Sequence, residues 1–223
     1  MTLTEYPDLE QRSPEWYAAR CGIVTASAVG ALLTPKLAVA DNDGARGLTA
    51  LLVAERITGE VDETPITSDM WRGIEHEPYA LDEYAEHYSP VTPMGFMRRE
   101  GKDWTLGYSP DGLVGGSGLV EVKCPRAKTH VRTILADAVP PQHMAQLQAG
   151  MLVSGRMWCD FISYVAGMPL FVKRVFPDAQ WFSAITAACR AFESTAGQMV
   201  NDYTARAARM PQTQRLDFEI KVA

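Results

Sequence analysis

A short apolar run that carries two charges, Leu119-Val120-Glu121-Val122-Lys123, constrains this chain more than any other feature. Side chains of a strand alternate between its faces, so Leu119, Glu121 and Lys123 share one face and the two valines take the other. A carboxylate and an ammonium group on an apolar strand are costly to bury without an ion or a partner. The run therefore predicts a β-strand whose charged face binds a compensating group, such as a divalent cation.

Asp111 precedes this strand in the turn sequence Ser109-Pro110-Asp111-Gly112, ten residues before Glu121. A hairpin would fold it back beside Glu121. Magnesium commonly takes one or two protein carboxylates plus waters and substrate phosphate. Lys123 would then lie next to the attacking water, either lowering the pKa of that water or stabilising the transition state of phosphodiester cleavage. The alternative is an exposed Glu121–Lys123 pair and an ordinary Pro-Asp-Gly turn, but the spacing and the flanking valines favour the site.

Other polar residues are weaker candidates when judged from the residues alone. Glu77, in WRGIEHEPYA on a predicted helix, would be a third carboxylate, but its spacing is also typical of a solvated helix acid, and Glu75 competes with it. Arg20 and Ser27 flank CGIVTA, and a guanidinium with a hydroxyl at a helix N-terminus can bind phosphate; a surface arginine and an ordinary cap are the commoner explanation. Gln146, in HMAQLQAG, is equally explained as a buried structural amide.

Composition limits the class of protein. With 223 residues and 47% hydrophobic side chains, the chain suits one globular domain over residues 1–223. A polar, acidic N-terminus and the lack of a long apolar run predict neither a signal peptide nor a membrane span. The four cysteines are scattered, which indicates reduced thiols in a cytoplasmic protein. The net charge is −6, but residues 94–132 carry seven basic and four acidic side chains, as a local site for nucleic acid would. Ordinary variation of surface charge is the alternative explanation.

The hydrophobic periodicity predicts helices, strands, a helix, strands and a last helix, in that order. We expect an α/β fold in which a small central mixed β-sheet is flanked by helices. The predicted helices are 14–20 after the cap Ser13, AVGALL with Thr25 or Ser27 as its cap, 48–57 closed by Gly59, one that begins at the cap Asp69, 143–153 and 178–206. The predicted strands are 94–99, 104–108, 119–123, 158–165 and 170–175, with 112–118 as a turn.

Four motifs in series resemble one family. They are RSPEWYAARCGIVTAS, RGIEHEP, LGYSPDGLVGGSGLVEVKCP and HMAQLQ, and they span about Arg12 to Gly150. Together they are similar to the phage lambda-type (YqaJ-like) alkaline exonucleases of the PD-(D/E)xK nuclease superfamily, in the family's order, and a bacterial prophage member is the closest description. The resemblance implies a restriction-endonuclease-like core and a magnesium-dependent, processive 5′→3′ exonuclease. Such an enzyme degrades one strand of linear double-stranded DNA to mononucleotides and prefers a 5′-phosphorylated end.

The resemblance also implies roles for single residues. The residues that match the family's metal site are Asp111, Glu121, the backbone carbonyl of Val122, the catalytic Lys123 and the helix carboxylate Glu77. The residues that match its pocket for the terminal phosphate are Arg20, Ser27, Ser109 and Gln146. Met70 falls where the family inserts an apolar wedge that splits the end base pair. After Leu33 the chain departs from the family pattern, because only Lys36 remains of a basic loop.

Cofactors and partners follow from the same resemblance. It implies two Mg²⁺ ions per active site, with Mn²⁺ as a substitute. It further implies a homotrimeric ring that threads linear DNA, and a single-strand annealing protein that receives the 3′ strand in the cytoplasm of a bacterial host. Two alternatives remain: an endonuclease or resolvase on the same fold, and a catalytically silent DNA-binding module. The presence of Asp111, Glu121 and Lys123 together disfavours the second alternative.

Overall fold

The computed structural model describes residues 1–61 and 66–214, so parts of the predicted domain 1–223 lie outside the described residues. The helices are α1 Pro14–Arg20, α2 Asp43–Thr58, α3 Ser68–His87, α4 Ala127–Ala136, α5 Pro141–Ser154 and α6 Ala179–Ala207, with a 3₁₀ helix at Val29–Leu32. The strands are β1 Thr2–Tyr6, β2 Phe96–Glu100, β3 Thr105–Tyr108, β4 Gly112–Val114, β5 Gly118–Lys123, β6 Trp158–Ser163 and β7 Phe171–Val175.

The strands form two small sheets flanked by helices, which confirms the α/β class. One sheet has the order β1-β2-β3 and the other β4-β5-β6-β7. The second sheet is mixed, because β5 and β6 are parallel while its other pairs are antiparallel. The chain between β5 and β6 contains α4 and α5, as a parallel pair requires a long crossover. The predicted single sheet is thus divided, and the charged strand β5 lies inside the mixed one.

The prediction of a turn over residues 112–118 was wrong in its first part. Gly112–Val114 form β4, with Leu113 opposite Leu119 in the antiparallel ladder. Leu113 and Val114 are both buried, so the apolar side chains hold this segment in the sheet despite its glycines. The turn itself is limited to residues 115–117.

Helix ends follow the predicted chemistry in some places and depart from it in others. Ser13 caps α1 by accepting a bond of 3.1 Å from the Trp16 N–H, as predicted. The cap of α3 is Thr67, whose side chain accepts from the Met70 N–H. Asp69 was therefore the wrong cap, since it lies in the first turn and its carboxylate instead binds two arginines.

Thr25 and Ser27 do not cap a helix either. The segment AVGALL contains only the 3₁₀ helix, whose N-cap is Ala28 without a side-chain bond. The Thr25 and Ser27 hydroxyls lie 3.2 Å from each other instead. The Ser27 side chain is exposed, which leaves its hydroxyl available to a ligand.

Helix α5 is buried on nearly all sides. Its packing therefore determines how closely the core approaches the strands, as its contact with β3 shows. A Cβ at Gly150 would lie 2.7 Å from the Tyr108 ring, so only glycine permits this approach of α5 to β3. Gln146 lies one helical turn before Gly150 and thus on the same face. The close approach therefore directs the Gln146 amide toward the end of β5.

The two faces of β5 are buried in different clusters, which confirms the predicted alternation. Leu119 packs in the main core with α5, whereas Val120 and Val122 pack against Ala80 and Tyr84 of α3. A strand buried on both faces is held in one register, because a shift by one residue would move every side chain to the opposite face of the sheet. Glu121 is thereby kept on the α5 side.

The longest helix, α6, begins after Asp178, whose side chain accepts from the Gln180 N–H. Its bounds agree with the predicted helix to within one residue at each end. It packs against α2 and α5 through one face, while polar residues cover the other. None of the helices in residues 1–61 and 66–214 is long and apolar enough to cross a membrane.

A buried polar network ties α3 to the sheet. The Tyr84 hydroxyl donates to Asp160 Oδ2 at 2.7 Å, and the Arg174 guanidinium donates to both Asp160 oxygens at 2.8 Å. Tyr84 and Asp160 are buried. Because a buried acceptor that loses a donor costs free energy, this network stabilises the position of α3 over the sheet.

We expect Tyr84→Phe to lower the free energy of unfolding by about 1–2 kcal/mol. In a protein of this size such a loss lowers the melting temperature by about 2–8 °C, which thermal denaturation measures. Tyr79→Phe is the matched control, because Tyr79 lies on the same helix and is 62% exposed. Equal melting temperatures for the two variants would contradict the structural role of this hydroxyl.

Candidate active site

A pocket of about 180 Å³ lies where β5 ends, and we call it the inner pocket. It gathers nine of the ten residues singled out from the sequence, namely Arg20, Ser27, Glu77, Ser109, Asp111, Glu121, Val122, Lys123 and Gln146. A larger space of about 870 Å³, the outer cleft, shares Arg20, Ser27, Glu77 and Lys123 with it. Met70 lines the outer cleft and is 47% exposed. The structure therefore brings together residues that are far apart in the chain.

Glu121 is the centre of the inner pocket and has no solvent exposure. Its Oε1 accepts from Lys123 Nζ at 2.6 Å and from the Gln146 amide. Its Oε2 accepts from the Tyr108 hydroxyl at 3.4 Å. Donors on two strands and one helix thus fix the orientation of this carboxylate.

Asp111 lies beside Glu121, as the hairpin prediction required. Its Oδ2 accepts from the Val122 N–H at 2.6 Å. The β4–β5 ladder ends where Gly112 faces Val120, so the Asp111 side chain binds the next free N–H of β5. This bond holds the turn acid against the strand that carries Glu121.

Glu77, rather than Glu75, is the third acid of the pocket. Glu75 is exposed, whereas Glu77 lines both the inner pocket and the outer cleft. Burial, and then the charge of Glu121, raise the pKa of Glu77 above its ordinary value. Burial also raises the pKa of Asp111 well above its ordinary value, and the charges of Glu121 and Glu77 add to that effect. The acids therefore repel one another in this pocket.

Lys123 is paired with Glu121 and stays protonated. Burial alone would lower its pKa, but the neighbouring carboxylates, led by Glu121 and Asp111, outweigh burial and raise the pKa. The ammonium group can neutralise negative charge on a ligand, but it cannot take up a proton near neutral pH. Of the two roles expected for Lys123, this protonation state favours charge stabilisation.

The donor set suits a hard divalent cation. Within the described residues, no group of three or more His, Cys, Asp or Glu side chains forms a metal cage by itself. Magnesium does not require such a cage, because it keeps several waters and takes few protein carboxylates. Asp111, Glu121 and the Val122 carbonyl could hold it, with Glu77 nearby. Burial raises the pKa of Asp111, and the charges of Glu121 and Glu77 add to that effect. A cation would relieve the repulsion among these charges.

One arginine and two serines, Arg20, Ser27 and Ser109, line the side of the inner pocket next to α1. The Trp16 indole N–H donates to Ser109 Oγ at 2.8 Å, and the Arg20 guanidinium lies 4.1 Å from the centre of the Trp16 ring. Because Ser109 accepts this bond, its own hydroxyl hydrogen is free for a ligand oxygen. The arrangement can bind an oxyanion through Arg20, Ser109 and Ser27.

The chain between Arg20 and Ser27 is held by α2. Glu55 is buried and accepts from the Gly22 N–H at 2.7 Å, while Arg56 donates to the Gly22 carbonyl at 2.6 Å. Arg56 in turn forms a bidentate ion pair with Glu193 of α6 at 2.8 and 2.9 Å. Gly22 has φ of +67°, and a Cβ there would meet Arg56 Cγ at 2.4 Å. Both constraints require glycine at this position.

Sequence reasoning missed several residues of the site. Trp16 is one of them. It lies four residues before Arg20 on a helix, and this spacing could have indicated that the two side chains are in contact. His143 lines the outer cleft and stacks on Phe161, and burial with the charge of Lys123 lowers the pKa of His143 to about 4. It is therefore neutral near pH 7. Nothing local in the sequence distinguishes Tyr108 from an ordinary core residue.

Comparisons with known proteins show which family this chain resembles. A family model described as the YqaJ-like viral recombinase domain matches residues 15–157. LHK-Exo, an alkaline exonuclease from Laribacter hongkongensis, is 33% identical, and the match covers 89% of this chain and 100% of that chain with a TM-score of 0.79. Its complex with dAMP gives a TM-score of 0.80 at the same identity and coverage.

A more distant structure shares only the fold. It is a phage related exonuclease from Haemophilus somnus 129PT, at 13% identity and a TM-score of 0.59. That match covers 81% of this chain and 96% of the other. Comparison with curated proteins gives no match.

We expect Asp111→Asn to stabilise the protein in EDTA. Asparagine retains an acceptor for the Val122 N–H but removes a charge that the folded state disfavours. The melting temperature at neutral pH should rise by about 2–4 °C, the shift that about 1 kcal/mol produces. Because the pKa of Asp111 is raised in the folded state, its ionisation costs stability only above the unfolded-state pKa of about 3.9. The gain should therefore shrink as the pH falls toward 4.

Asp82→Asn is the matched control, because Asp82 is an exposed acid on α3. It should give no comparable gain. A melting temperature of Asp111→Asn at or below that of the wild type, across this pH range in EDTA, would show that the acids do not repel one another as described.

Proposed function

Because this chain belongs to the family of YqaJ-like viral recombinase domains, we propose that it is a magnesium-dependent 5′→3′ exonuclease of linear double-stranded DNA. One observation carries the proposal: two carboxylates and a protonated lysine meet beside a group of oxyanion-binding side chains in the inner pocket. LHK-Exo is an alkaline exonuclease, and its complex with dAMP contains a deoxynucleoside monophosphate. That compound is of the class that stepwise release of mononucleotides would produce.

Asp111, Glu121 and the Val122 carbonyl are the proposed ligands of Mg²⁺, two ions per site, with Mn²⁺ as a substitute. The chemistry that Mg²⁺ supplies at such a site is polarisation of a phosphoryl oxygen and acidification of a water. Glu121 is oriented by Lys123, Gln146 and Tyr108, so its position is set before a ligand binds. Such preorganisation lowers the cost of binding a charged phosphate in the right place.

Lys123 and Glu77 are the proposed catalytic groups around the scissile phosphate. The Lys123 ammonium, protonated in this pocket, would stabilise the negative charge that develops on the phosphoryl oxygens. Glu77 lines the same pocket and would orient the attacking water.

Arg20, Ser27, Ser109 and Gln146 are the proposed pocket for the 5′-terminal phosphate. Arg20 and the two serines supply N–H and O–H donors, while Gln146 is shared with Glu121. A terminal phosphate bound there would place the next phosphodiester at Lys123. The distance between the two subsites would then make each step one nucleotide long.

Met70 is the proposed wedge at the entrance. It is exposed in the first turn of α3 and lines the outer cleft, where an arriving duplex end would meet it. The recombination part of the proposal comprises a homotrimeric ring around DNA and delivery of the 3′ strand to a single-strand annealing protein. The family's description as a viral recombinase domain supports a role in recombination. The ring and the annealing partner are proposed from the family resemblance.

Digestion of defined DNA ends tests the proposed activity. We expect degradation of linear duplex with 5′-phosphate ends in Mg²⁺, at least about tenfold slower attack on 5′-hydroxyl ends, and no attack in EDTA. Lys123→Ala should retain DNA binding and lose roughly 100-fold or more of the rate, since it removes transition-state charge stabilisation. The released products are identified by chromatography as mononucleotides.

Covalently closed plasmid is the control that separates this activity from an endonuclease on the same fold. An exonuclease leaves the plasmid intact, so nicking of the closed circle would contradict the proposal. Equal rates on the two kinds of end would contradict the phosphate pocket while leaving the nuclease activity in place.

Trp16→Phe should weaken the preference for 5′-phosphate ends. Phenylalanine keeps a ring beneath Arg20 but removes the indole N–H that orients Ser109. A lost hydrogen bond of about 0.5–1.5 kcal/mol corresponds to a decrease of roughly 2–10-fold in the rate ratio for phosphorylated over hydroxyl ends. Tyr17→Phe is the control, because Tyr17 neighbours Trp16 and is exposed. An unchanged ratio for Trp16→Phe would show that this bond does not orient the pocket.

A further inference from the structure

Two arginines share one aspartate at the edge of the outer cleft. Arg72 donates through Nη1 to Asp69 Oδ1 at 2.9 Å, and Arg126 donates to the same oxygen through Nε at 3.1 Å. The Arg126 Nη2 atom lies 3.0 Å from that oxygen in the same ion pair. Arg72 also donates through Nε to the Cys124 carbonyl at 3.0 Å. We call Arg72 and Arg126 the arginine pair. It joins the start of α3 to the chain that follows β5.

The charges of the arginine pair are only half balanced. One carboxylate faces two guanidinium groups, and several N–H groups of both arginines have no acceptor among residues 1–61 and 66–214. The side chain of Arg126 is 70% exposed and that of Asp69 is 56% exposed, so a ligand in the cleft can reach them. Guanidinium groups held in this way match the geometry of a phosphate, which accepts two parallel N–H bonds.

The arginine pair lies close to the catalytic residues. Arg72 is five residues before Glu77 on α3, about 7.5 Å along the helix axis. Arg126 is three residues after Lys123, and the Cys124 carbonyl between them is the one bound by Arg72. The pair, Glu77 and Lys123 all line the outer cleft. A strand that leaves the inner pocket through the cleft therefore passes the pair.

The outer cleft is positive in a negatively charged protein. Its lining has five cationic side chains, Arg12, Arg20, Arg72, Lys123 and Arg126, against two acids, Asp69 and Glu77. The net charge of the whole chain is −6. A localised positive surface of this kind attracts a polyanion to one place while the rest of the protein repels it.

We propose that the arginine pair is a subsite for a backbone phosphate of the strand being degraded, on the 3′ side of the scissile bond. The proposal rests on the function proposed above, since the 5′ end in the inner pocket sets the direction of the strand. Asp69 holds the two guanidinium groups together in the absence of DNA and competes with the phosphate for them. This competition keeps the contact weak, so the strand can advance after each cleavage.

Binding of 5′-phosphorylated linear duplex in EDTA, between about 50 and 200 mM salt, tests the subsite. Loss of one phosphate contact in Arg126→Gln should make the slope of log K against log salt shallower by about 0.7–0.9. Affinity at the lower salt should fall several-fold. Asp69→Asn should raise affinity several-fold, because it removes the competitor and keeps the site. Weaker DNA binding by Asp69→Asn would contradict the proposal that Asp69 competes with the phosphate for the arginine pair.

Arg46→Gln is the matched control. Arg46 also bridges carboxylates, at 2.5 Å to Asp41 and 2.8 Å to Asp43, but it lines neither the inner pocket nor the outer cleft. It should bind DNA with the wild-type slope. If Arg126→Gln and Arg46→Gln behave alike while the wild type degrades DNA, the subsite is refuted and the proposed function stands. A wild type that degrades no DNA refutes the proposed function itself.

Discussion

The bond between the Val122 N–H and Asp111 Oδ2 is the interaction on which the site depends. The antiparallel ladder of β4 and β5 stops at Gly112, and the side chain of Asp111 then takes the place of a ladder partner. An acid on a turn is thereby held at the level of Glu121. Without this bond, repulsion between the two carboxylates would favour a turn that points Asp111 to solvent. The oxygen ligands of Asp111 and Glu121 would then no longer lie in one pocket.

Repulsion among the acids is tolerated because other contacts hold each one in place. Glu121 is held by three donors, and Glu77 is placed by α3, which the buried Tyr84–Asp160 bond ties to the sheet. The single ammonium of Lys123 cannot balance three carboxylates, which supports the proposed binding of a cation in this pocket. The outer cleft is also unbalanced in charge, but with the opposite sign. There the two guanidinium groups of the arginine pair face the single carboxylate of Asp69, so the cleft suits an anion. The proposed cation site beside the proposed path for the DNA strand would supply the electrostatics that metal-assisted phosphodiester cleavage uses.

Much of the local structure could be predicted, and the failures arose where other contacts outweighed the preference of a residue type. The alternation along β5 follows from the pleat of a strand, and the cap at Ser13 from its hydroxyl, so both were confirmed. Asp69 was mistaken for a cap because its type suits that position, whereas its partner Arg126 is 57 residues away. Residues 112–114 were mistaken for a turn because their glycines outweighed two apolar residues that tertiary packing buries. Packing overrode the local preference of residues 112–114, whereas the cap of α3 is supplied by the nearby Thr67.

The sequence by itself determined the chemistry that was available: an acid on a turn, an acid and a lysine on the strand that follows at a fixed spacing, and the motifs that resemble one family. Only the tertiary structure decided which side chains meet them. Ser109 accepts from Trp16 across 93 residues, and Gln146 reaches Glu121 because Gly150 lets α5 approach β3. Periodicity is a property of neighbours along the chain and can be read locally. Whether side chains that are remote in sequence come into contact depends on how helices and strands pack against the core. No local sequence pattern encodes the distance between such side chains.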